Sequence, residues 1–471
     1  MLDDPIAVGS PAHGGFVVGR AGSVVTLVRH AIPGEVVRVA VTSRRSRVWF
    51  ADAVEVVERS RERVAHVWPE AGPGGVGGGE LGHVSPAAQL EWKSAVLADS
   101  LRRIGGEQVA GDVAAAGSTT VHPVADPALP GTRTRVELTG TAEGRLGMHR
   151  HRGQDVLALE TLPLADPRLD VGSLLGSLRV DPGARVRAVV GSGSGPDAEP
   201  RVLVDGSPLS GTGSVAESVP TLLGTIDYTV AADGFWQVHH AAPAVLVEVV
   251  LALAAGLEPR LPDPAAWQEA DQAGAPAGVV DPAPRAEDGS GAAGETGADP
   301  PTEAGADARA RADRVRAALD GARVLELYSG AGLLSAALAR AVGTDGRLVT
   351  LEGAARAVDD ARATLAPTPW ARPLTGAVDA SAVAALGREP EWSTGGTVVL
   401  DPPRTGARSE VMAAVAALHP ARIVHVACDP AALARDLAAA RAAGYVAERV
   451  VALDLFPHTH HLEAVVSLVR A

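Results

Sequence analysis

Hydrophobic positions follow two different patterns along the chain. In residues 1–65, short runs rich in valine alternate with glycine and polar residues, as in SVVTLVRHAIPGEVVRVAV. Short strands separated by turn residues are typical of a small closed β-barrel. From residue 321 the strands become continuous apolar runs, such as ARVLEL and TVVL, and alternate with alanine-rich helical segments. This second pattern predicts an α/β fold with a parallel, doubly wound sheet.

The middle of the chain is again rich in β-like runs and turns. We predict a β-rich central domain over residues 66–222. Near its start lies a glycine-rich connector, AGPGGVGGGELGH (71–83). A helix is expected over residues 86–104, because Ser85 suits an N-cap, Pro86 suits the first turn and Gly105 ends the pattern. The third predicted domain covers residues 223–471.

One segment of the third domain differs in composition. From about residue 258 to 314 the chain has almost no large apolar residues, which predicts a disordered insertion. This segment holds twelve acidic residues against five arginines, half of the net charge of −14, whereas residues 1–65 hold nine arginines against seven acidic residues. The acidic total therefore does not exclude a nucleic-acid partner.

The chain contains a single cysteine. It therefore has no intrachain disulfide and no set of cysteines for a zinc or iron–sulfur site, which is usual in a reducing cytosol. The N-terminus lacks the basic and apolar regions of a signal peptide, and no apolar run reaches the ~18 residues of a membrane span. We expect a cytoplasmic monomer without membrane attachment.

The segment LELYSGAGLLS predicts a strand, a glycine turn and a helix. Gly330 and Gly332 would let a ligand approach the backbone at the helix N-terminus. Glu352 ends the next strand, where a carboxylate can accept hydrogen bonds from ribose hydroxyls. Ser335 replaces the third glycine of a dinucleotide motif, which favours S-adenosylmethionine, a cofactor with a ribose but no phosphate. A plain glycine turn with a surface acid is the alternative.

Two further strands end in reactive side chains. Asp401 follows the fourth strand of this domain, and Cys428 follows the fifth at the same edge of the sheet. Asp429 and Pro430 predict a helix start directly after the cysteine, and a helix N-terminus favours thiolate. We therefore favour a nucleophile over a buried structural cysteine.

The last two strands are joined by PHTHH, which predicts a hairpin and one antiparallel strand. Glu463 follows this reversal and is a candidate general base. The turn histidines His458, His460 and His461 lack a matching set of carboxylate and histidine ligands, so no metal site is predicted.

Three motifs in the C-terminal part resemble those of the tRNA/23S rRNA uracil-5-methyltransferase family. They are DPPRTG (401–406), ACDPAALARDL (427–437) and FPHTHHLEAV (456–465). VGSPAHGGFVVGR, near the start, resembles the RNA-binding TRAM domain of this family, and QLEWK and GFWQV resemble further family segments. The resemblance implies an OB-like TRAM barrel and a Rossmann-like class I methyltransferase domain that uses S-adenosylmethionine and acts on rRNA or tRNA.

The resemblance also implies roles for single residues. Cys428 corresponds to the nucleophile that adds to uracil C6, and Glu463 to the base that removes the C5 proton. The cofactor-binding positions that match are Gln237, Tyr328, Glu352, Asp401 and, less clearly, Asp379. For RNA contacts the arginine cluster Arg44, Arg45 and Arg47 is the first candidate. Many relatives carry four cysteines before QLEWK, where this chain has GGGELGH, so no iron–sulfur cluster is expected.

Two other functions fit parts of this pattern. The same scaffold and cofactor would serve an enzyme that methylates another pyrimidine or a small molecule. A non-catalytic RNA-binding factor would also keep the scaffold, but it would not need the set of Cys428, Glu463 and Asp401.

Overall fold

The N-terminal strands form a closed barrel. The computed structural model describes residues 4–126, 131–263 except 194, 196 and 197, and 303–471 except 390, 391, 393 and 394. Strands β1–β5 pair in the order β1-β2-β3-β5-β4, and valines such as Val17 and Val37 fill the interior. The predicted barrel is therefore confirmed. Its strands are β1 (Ile6–Ala12), β2 (Phe16–Ala21), β3 (Val24–Arg29), β4 (Val36–Arg44) and β5 (Val48–Glu58).

The central part contains an antiparallel six-stranded sheet in the order β12-β11-β10-β7-β8-β9. Trp68, just before the connector, is fully buried against this sheet, and its Nε1 donates to Thr161 O at 3.1 Å. Strands β13 (Ser214–Val219) and β14 (Ile226–Ala231) form a separate two-stranded sheet. The elements of the larger sheet and its helix are β7 (Arg135–Gly140), β8 (Leu146–His149), β9 (Val156–Ala158), α3 (Val171–Ser177), β10 (Arg185–Val189), β11 (Arg201–Val204) and β12 (Ser207–Pro208).

The largest sheet has eight strands in the order β17-β16-β15-β18-β19-β21-β20-β6. Strand β21 runs antiparallel to both of its neighbours, whereas the other pairs are parallel, so the predicted mostly parallel sheet with one antiparallel strand is confirmed. The strands are β6 (Gly117–Pro123), β15 (Arg323–Leu327), β16 (Arg347–Glu352), β17 (Ala371–Thr375), β18 (Thr397–Leu400), β19 (Arg422–Ala427), β20 (Tyr445–Asp454) and β21 (Glu463–Arg470).

Helices cover both faces of this sheet, because successive strand residues point to opposite sides. Val399 belongs to one apolar core and its neighbour Val398 to the other, and both are fully buried. The helices are α1 (Pro86–Ser100), α2 (Glu107–Ala116), α4 (Ala242–Ala254), α5 (Glu303–Leu319), α6 (Leu333–Val342), α7 (Ala355–Leu365), α8 (Ala380–Leu386), α9 (Ser409–Ala417) and α10 (Pro430–Ala442). Within the described residues, no helix combines the length and apolar character that a membrane crossing requires.

Two segments differ from the sequence-based prediction. Residues 117–123 were assigned to the central domain without a predicted strand, but they form β6, which extends the large sheet by pairing with β20. Helix α5 lies partly in the predicted disordered insertion. This segment can form a packed helix because Ala312, Val315 and Leu319 give it an apolar stripe that is buried. The rest of that prediction, over residues 264–302, lies outside the described residues.

Candidate active site

The predicted site residues meet at one edge of the large sheet. Gly330 follows β15, Glu352 ends β16, Asp401 follows β18 and Cys428 follows β19. These strands are parallel, so their carboxyl ends lie at the same edge, where open α/β sheets bind ligands.

The glycine turn after β15 is open on its outer side. Gly330 has a φ of 52°, and a Cβ atom placed there would meet no other atom within 4 Å. Glu352 stabilises the turn, because its carboxylate accepts hydrogen bonds from Gly330 N at 3.0 Å and Ala354 N at 2.7 Å. Gly332 (φ 87°) starts α6, and a Cβ there would lie only 3.0 Å from Ala361. The turn thus leaves space for a ligand against its backbone, which fits S-adenosylmethionine.

Three other predicted cofactor residues lie around this turn or in neighbouring loops. Tyr328 is half-buried with a φ of 62°, and burial raises its pKa to about 12. Gln237 is buried in the loop between β14 and α4. Asp379 is exposed and acts as the N-cap of α8, where hydrogen bonds led by Ala382 N (2.9 Å) lower its pKa.

Cys428 and Glu463 lie at the ends of two adjacent strands. The antiparallel register of β19 and β21 pairs Ala427 with Ala464. The next pair in this register is Cys428 with Glu463, so these two residues lie side by side. Residues that face each other across an antiparallel pair point to the same side of the sheet. The nucleophile and the base inferred from the sequence are therefore neighbours, and Cys428 is only partly buried.

The environment of the thiol contains opposing influences. Asp429 caps α10 by accepting from Ala432 N at 2.7 Å, and Pro430 occupies the first turn, as predicted. Burial raises the pKa of Cys428 to about 12, and the negative charges of Glu463 and Asp401 act in the same direction. The helix N-terminus favours thiolate, whereas burial and these two carboxylates favour the thiol, so a thiolate at this position stays a prediction.

The same carboxylates favour their protonated forms. Burial and the charge of Asp401 raise the pKa of Glu463 well above its usual range, and Glu463 Oε1 has no hydrogen-bond partner within the described part of the chain. Burial also raises the pKa of Asp401 to about 6, although the charge of His425 opposes the change. Groups with such raised pKa values can exchange protons near neutral pH.

Sequence analysis did not single out two further residues. Arg404, within the DPPRTG motif, is the cation whose charge lowers the pKa values of Cys428 and Glu463. Phe235, two residues before Gln237, is 74% exposed. Both residues lie within quoted motifs, Arg404 in DPPRTG and Phe235 in GFWQV. The sequence alone, however, does not show where either side chain lies in the folded chain.

The barrel contacts the residue after Cys428 through His13. His13 lies between β1 and β2, and its Nε2 is 3.2 Å from Asp429 Oδ2. A single histidine within VGSPAHGGFVVGR gave no indication of this contact, which joins segments more than 400 residues apart.

The predicted arginine cluster lies on the barrel surface. Arg44 stacks over Trp49 at 4.7 Å and Arg45 over Phe50 at 5.3 Å, while Arg47 is exposed nearby. Arg152 of the central part extends this patch by stacking over Phe50 at 5.7 Å. We name these residues the arginine–aromatic surface: Arg44, Arg45, Arg47, Trp49, Phe50 and Arg152.

Comparisons with known proteins agree with this arrangement. The family model of tRNA (Uracil-5-)-methyltransferase matches residues 391–471. An uncharacterized RNA methyltransferase of Bifidobacterium longum is 31% identical, over 100% of this chain and 97% of the relative. The 23S rRNA (uracil(1939)-C(5))-methyltransferase RlmD of Alkalilimnicola ehrlichii is 30% identical, over 98% of this chain and 95% of the relative.

A solved structure shares the fold. The Pyrococcus abyssi tRNA (uracil-54, C5)-methyltransferase, in complex with S-adenosyl-L-homocysteine, superposes with a TM-score of 0.59 at 19% identity, over 98% of this chain and 100% of that one. The sequence relatives extend over nearly the whole chain, and the C-terminal family model includes both Cys428 and Glu463. The chain therefore belongs to the RNA uracil-5-methyltransferase family, whose methyl donor is S-adenosylmethionine.

Proposed function

We propose that the protein methylates C5 of a uridine in rRNA or tRNA through a covalent bond between Cys428 and uracil C6. The observation that carries the proposal is the position of Cys428 beside Glu463, next to the open glycine turn. A nucleophile and a base within reach of one substrate are the two protein groups that this reaction requires.

The chemistry assigns one task to each side chain. Uracil C5 is a poor nucleophile, and the addition of the Cys428 thiolate to C6 converts it into an enolate carbon. S-adenosylmethionine supplies the electrophilic methyl group. Glu463 then accepts the proton of C5, and the C6–S bond breaks, so that the thiolate leaves and the uracil ring becomes aromatic again.

The charges around the thiol suit this sequence of steps. The raised pKa of Glu463 makes this carboxylate a stronger base for the C5 proton than an exposed glutamate. Arg404 favours the thiolate, because its positive charge lowers the pKa of Cys428.

The RNA is bound, in this proposal, by the arginine–aromatic surface. Arginines neutralise phosphates, and exposed aromatic rings stack with unpaired bases. The target uridine must leave its stack to reach Cys428, and the exposed ring of Phe235 offers a face for the flipped base. The barrel acts here as a TRAM-type RNA-binding domain.

Methylation of RNA from cells that lack the protein tests the proposal. The full chain and labelled S-adenosylmethionine are expected to form 5-methyluridine in rRNA or tRNA, whereas Cys428→Ala forms none and still binds the RNA. Glu463→Gln is expected to accumulate a covalent protein–RNA complex, because the C5 proton has no acceptor.

Three results would contradict the proposal. They are product formation by Cys428→Ala, methylation of free nucleotides but not of RNA, and RNA binding without any methyl transfer by the unchanged chain. The variant Glu410→Gln alters an exposed glutamate on α9 and serves as the matched control.

A further inference from the structure

Three histidines from separate segments meet in the interior between the barrel and the connector. His30 follows β3, His66 precedes the glycine-rich connector, and His83 is the last residue of the connector. One ligand nitrogen of each ring lies within 4.8 Å of those of the other two. Their ring centroids form a nearly equilateral triangle with sides of 5.9, 6.0 and 6.4 Å. Positions so far apart in sequence follow no metal-ligand spacing, and our prediction of no metal site considered only the histidines of the PHTHH turn.

Each ring keeps a nitrogen without a hydrogen-bond partner. Within the described residues this is true of both nitrogens of His30, of Nδ1 of His83 and of Nε2 of His66. His30 and His83 are only 4% and 3% exposed, and His30 has a φ of 60°, in the left-handed region that favours glycine. Unpaired polar atoms at this depth are unfavourable in folded proteins and point to a missing partner.

The burial of the rings favours the form that binds metal ions. Because His30 and His83 are almost fully buried, the uncharged imidazole is favoured over the imidazolium ion. Neutral imidazole is the metal-binding form of histidine.

Two arginines whose charges act on these rings are each paired with a carboxylate. Arg29 pairs with Asp52 at 2.8 Å, and Arg63 pairs with Glu35 at 2.6 Å. Glu80 is buried close enough for its negative charge to act on His30.

We propose that His30, His66 and His83 bind a divalent transition-metal ion of the zinc type. Three imidazole ligands select Zn²⁺ and similar ions over Mg²⁺ and Ca²⁺, which prefer oxygen ligands. The Nε2 of His83 lies 3.4 Å from Ala31 O, so its proton can point to that carbonyl while Nδ1 faces the ion.

His66 requires one local change. Its Nδ1 accepts a hydrogen bond from Trp68 N at 3.0 Å, so the neutral ring carries its proton on Nε2. Binding a metal through Nε2 moves the proton to Nδ1 and ends this hydrogen bond. The loss of one neutral hydrogen bond is small beside the free energy with which structural zinc sites bind.

The site would connect the barrel to the loop that precedes Glu463. In the connector, Leu81 N donates to His458 O at 2.9 Å, and Glu80 Oε2 lies 3.5 Å from His460 Nδ1. A metal that joins His30 of the barrel to the two ends of the connector fixes these contacts in place. This role is structural and independent of the methyl-transfer chemistry proposed above.

Metal titration of the chelator-treated full chain tests the inference without RNA or methyl donor. We expect one equivalent of Co²⁺ to give the visible absorption of a tetrahedral site, and Zn²⁺ to displace it. His83→Gln and His30→Gln should weaken binding by about 100-fold or more, and His66→Gln by a smaller factor. His149→Gln, which changes an exposed histidine, should bind like the unchanged chain.

Thermal unfolding provides a second measurement. Zn²⁺ should raise the melting temperature of the unchanged chain and of His149→Gln, but not that of the triad variants, which should match the unchanged chain in chelator. If the triad variants bind Co²⁺ as tightly as the unchanged chain, or if the unchanged chain binds none, the site does not exist.

Discussion

Asp436 accepts a hydrogen bond from Ala407 N at 2.7 Å, and its second oxygen accepts from Arg408 N at 3.0 Å. Asp436 belongs to α10, the helix that begins two residues after Cys428, whereas the two amides belong to the loop that carries Asp401 and Arg404. One fully buried carboxylate therefore holds the loop against the helix.

This contact predicts a loss of both stability and activity in Asp436→Ala. The substitution leaves two buried amides without their acceptor. It also removes the partner of His425, whose Nε2 lies 3.0 Å from the carboxylate. We expect these losses to lower the free energy of unfolding by about 3 kcal/mol. Asp436→Asn keeps an acceptor and should lose less. Urea unfolding measures the stability, and kcat/KM measures the activity. The control is Asp359→Ala, at an exposed position, which should change stability by less than ~0.5 kcal/mol. Equal stabilities of Asp436→Ala and the unchanged chain would contradict the role.

The reactivity of the single cysteine should report the charges around it. Because the pKa of Cys428 is about 12, alkylation by iodoacetamide should be slow at pH 7 and should increase steeply above pH 9. Glu463→Gln removes the negative charge that the glutamate carries once it ionises at high pH, so it should accelerate alkylation above pH 9 by roughly tenfold, whereas Arg404→Ala should slow it. Mass spectrometry of the alkylated chain gives the rates. An unchanged or slower rate in Glu463→Gln would contradict an interaction between the two charges.

The contribution of Glu326 to stability should fall as the pH rises from 5 to 8. Burial raises the pKa of Glu326 to about 8 from 4.5, so the folded chain retains a proton that the unfolded chain releases. Its contribution is complete below pH 4.5 and is lost as the pH rises through 8, at about 1.4 kcal/mol per pH unit. Glu326→Gln keeps an acceptor for Ser335 Oγ and should flatten this slope, as measured by guanidinium unfolding at four pH values. The same slope in both proteins would exclude this assignment.

The arginine–aromatic surface should contribute to RNA affinity through charge. Replacing Arg44, Arg45 and Arg47 with alanine should weaken binding and reduce the slope of log K against log salt concentration by ~1 for each lost phosphate contact. Filter binding at several salt concentrations measures the slope. Arg179→Ala, a single exposed arginine of the central part, should leave it unchanged. A triple variant with unaltered slope would exclude this surface from RNA binding.

Local patterns were enough to predict the barrel, the parallel sheet and the start of the helix at Pro430. Strand β6 was missed because GSTTVHP has little apolar character, and its place depends on pairing with β20, more than 300 residues later. Helix α5 was missed because its polar and alanine-rich composition hides a narrow apolar stripe.

The candidate site shows a similar division. Motifs identified Cys428 and Glu463, and the strand register explains their proximity. The raised pKa of the thiol depends on burial and on carboxylates from other strands, and no spacing in the sequence contains that information. The histidine triad likewise exists only once the connector folds back against the barrel.

The insertion of β21 between β19 and β20 has a consequence for biosynthesis. During translation Cys428 leaves the ribosome before Glu463, and β19 and β20 cannot take their final places until β21 separates them. A nascent chain therefore carries its cysteine without the neighbouring carboxylate. In the proposed mechanism, such an unfinished chain lacks the base that releases the methylated product.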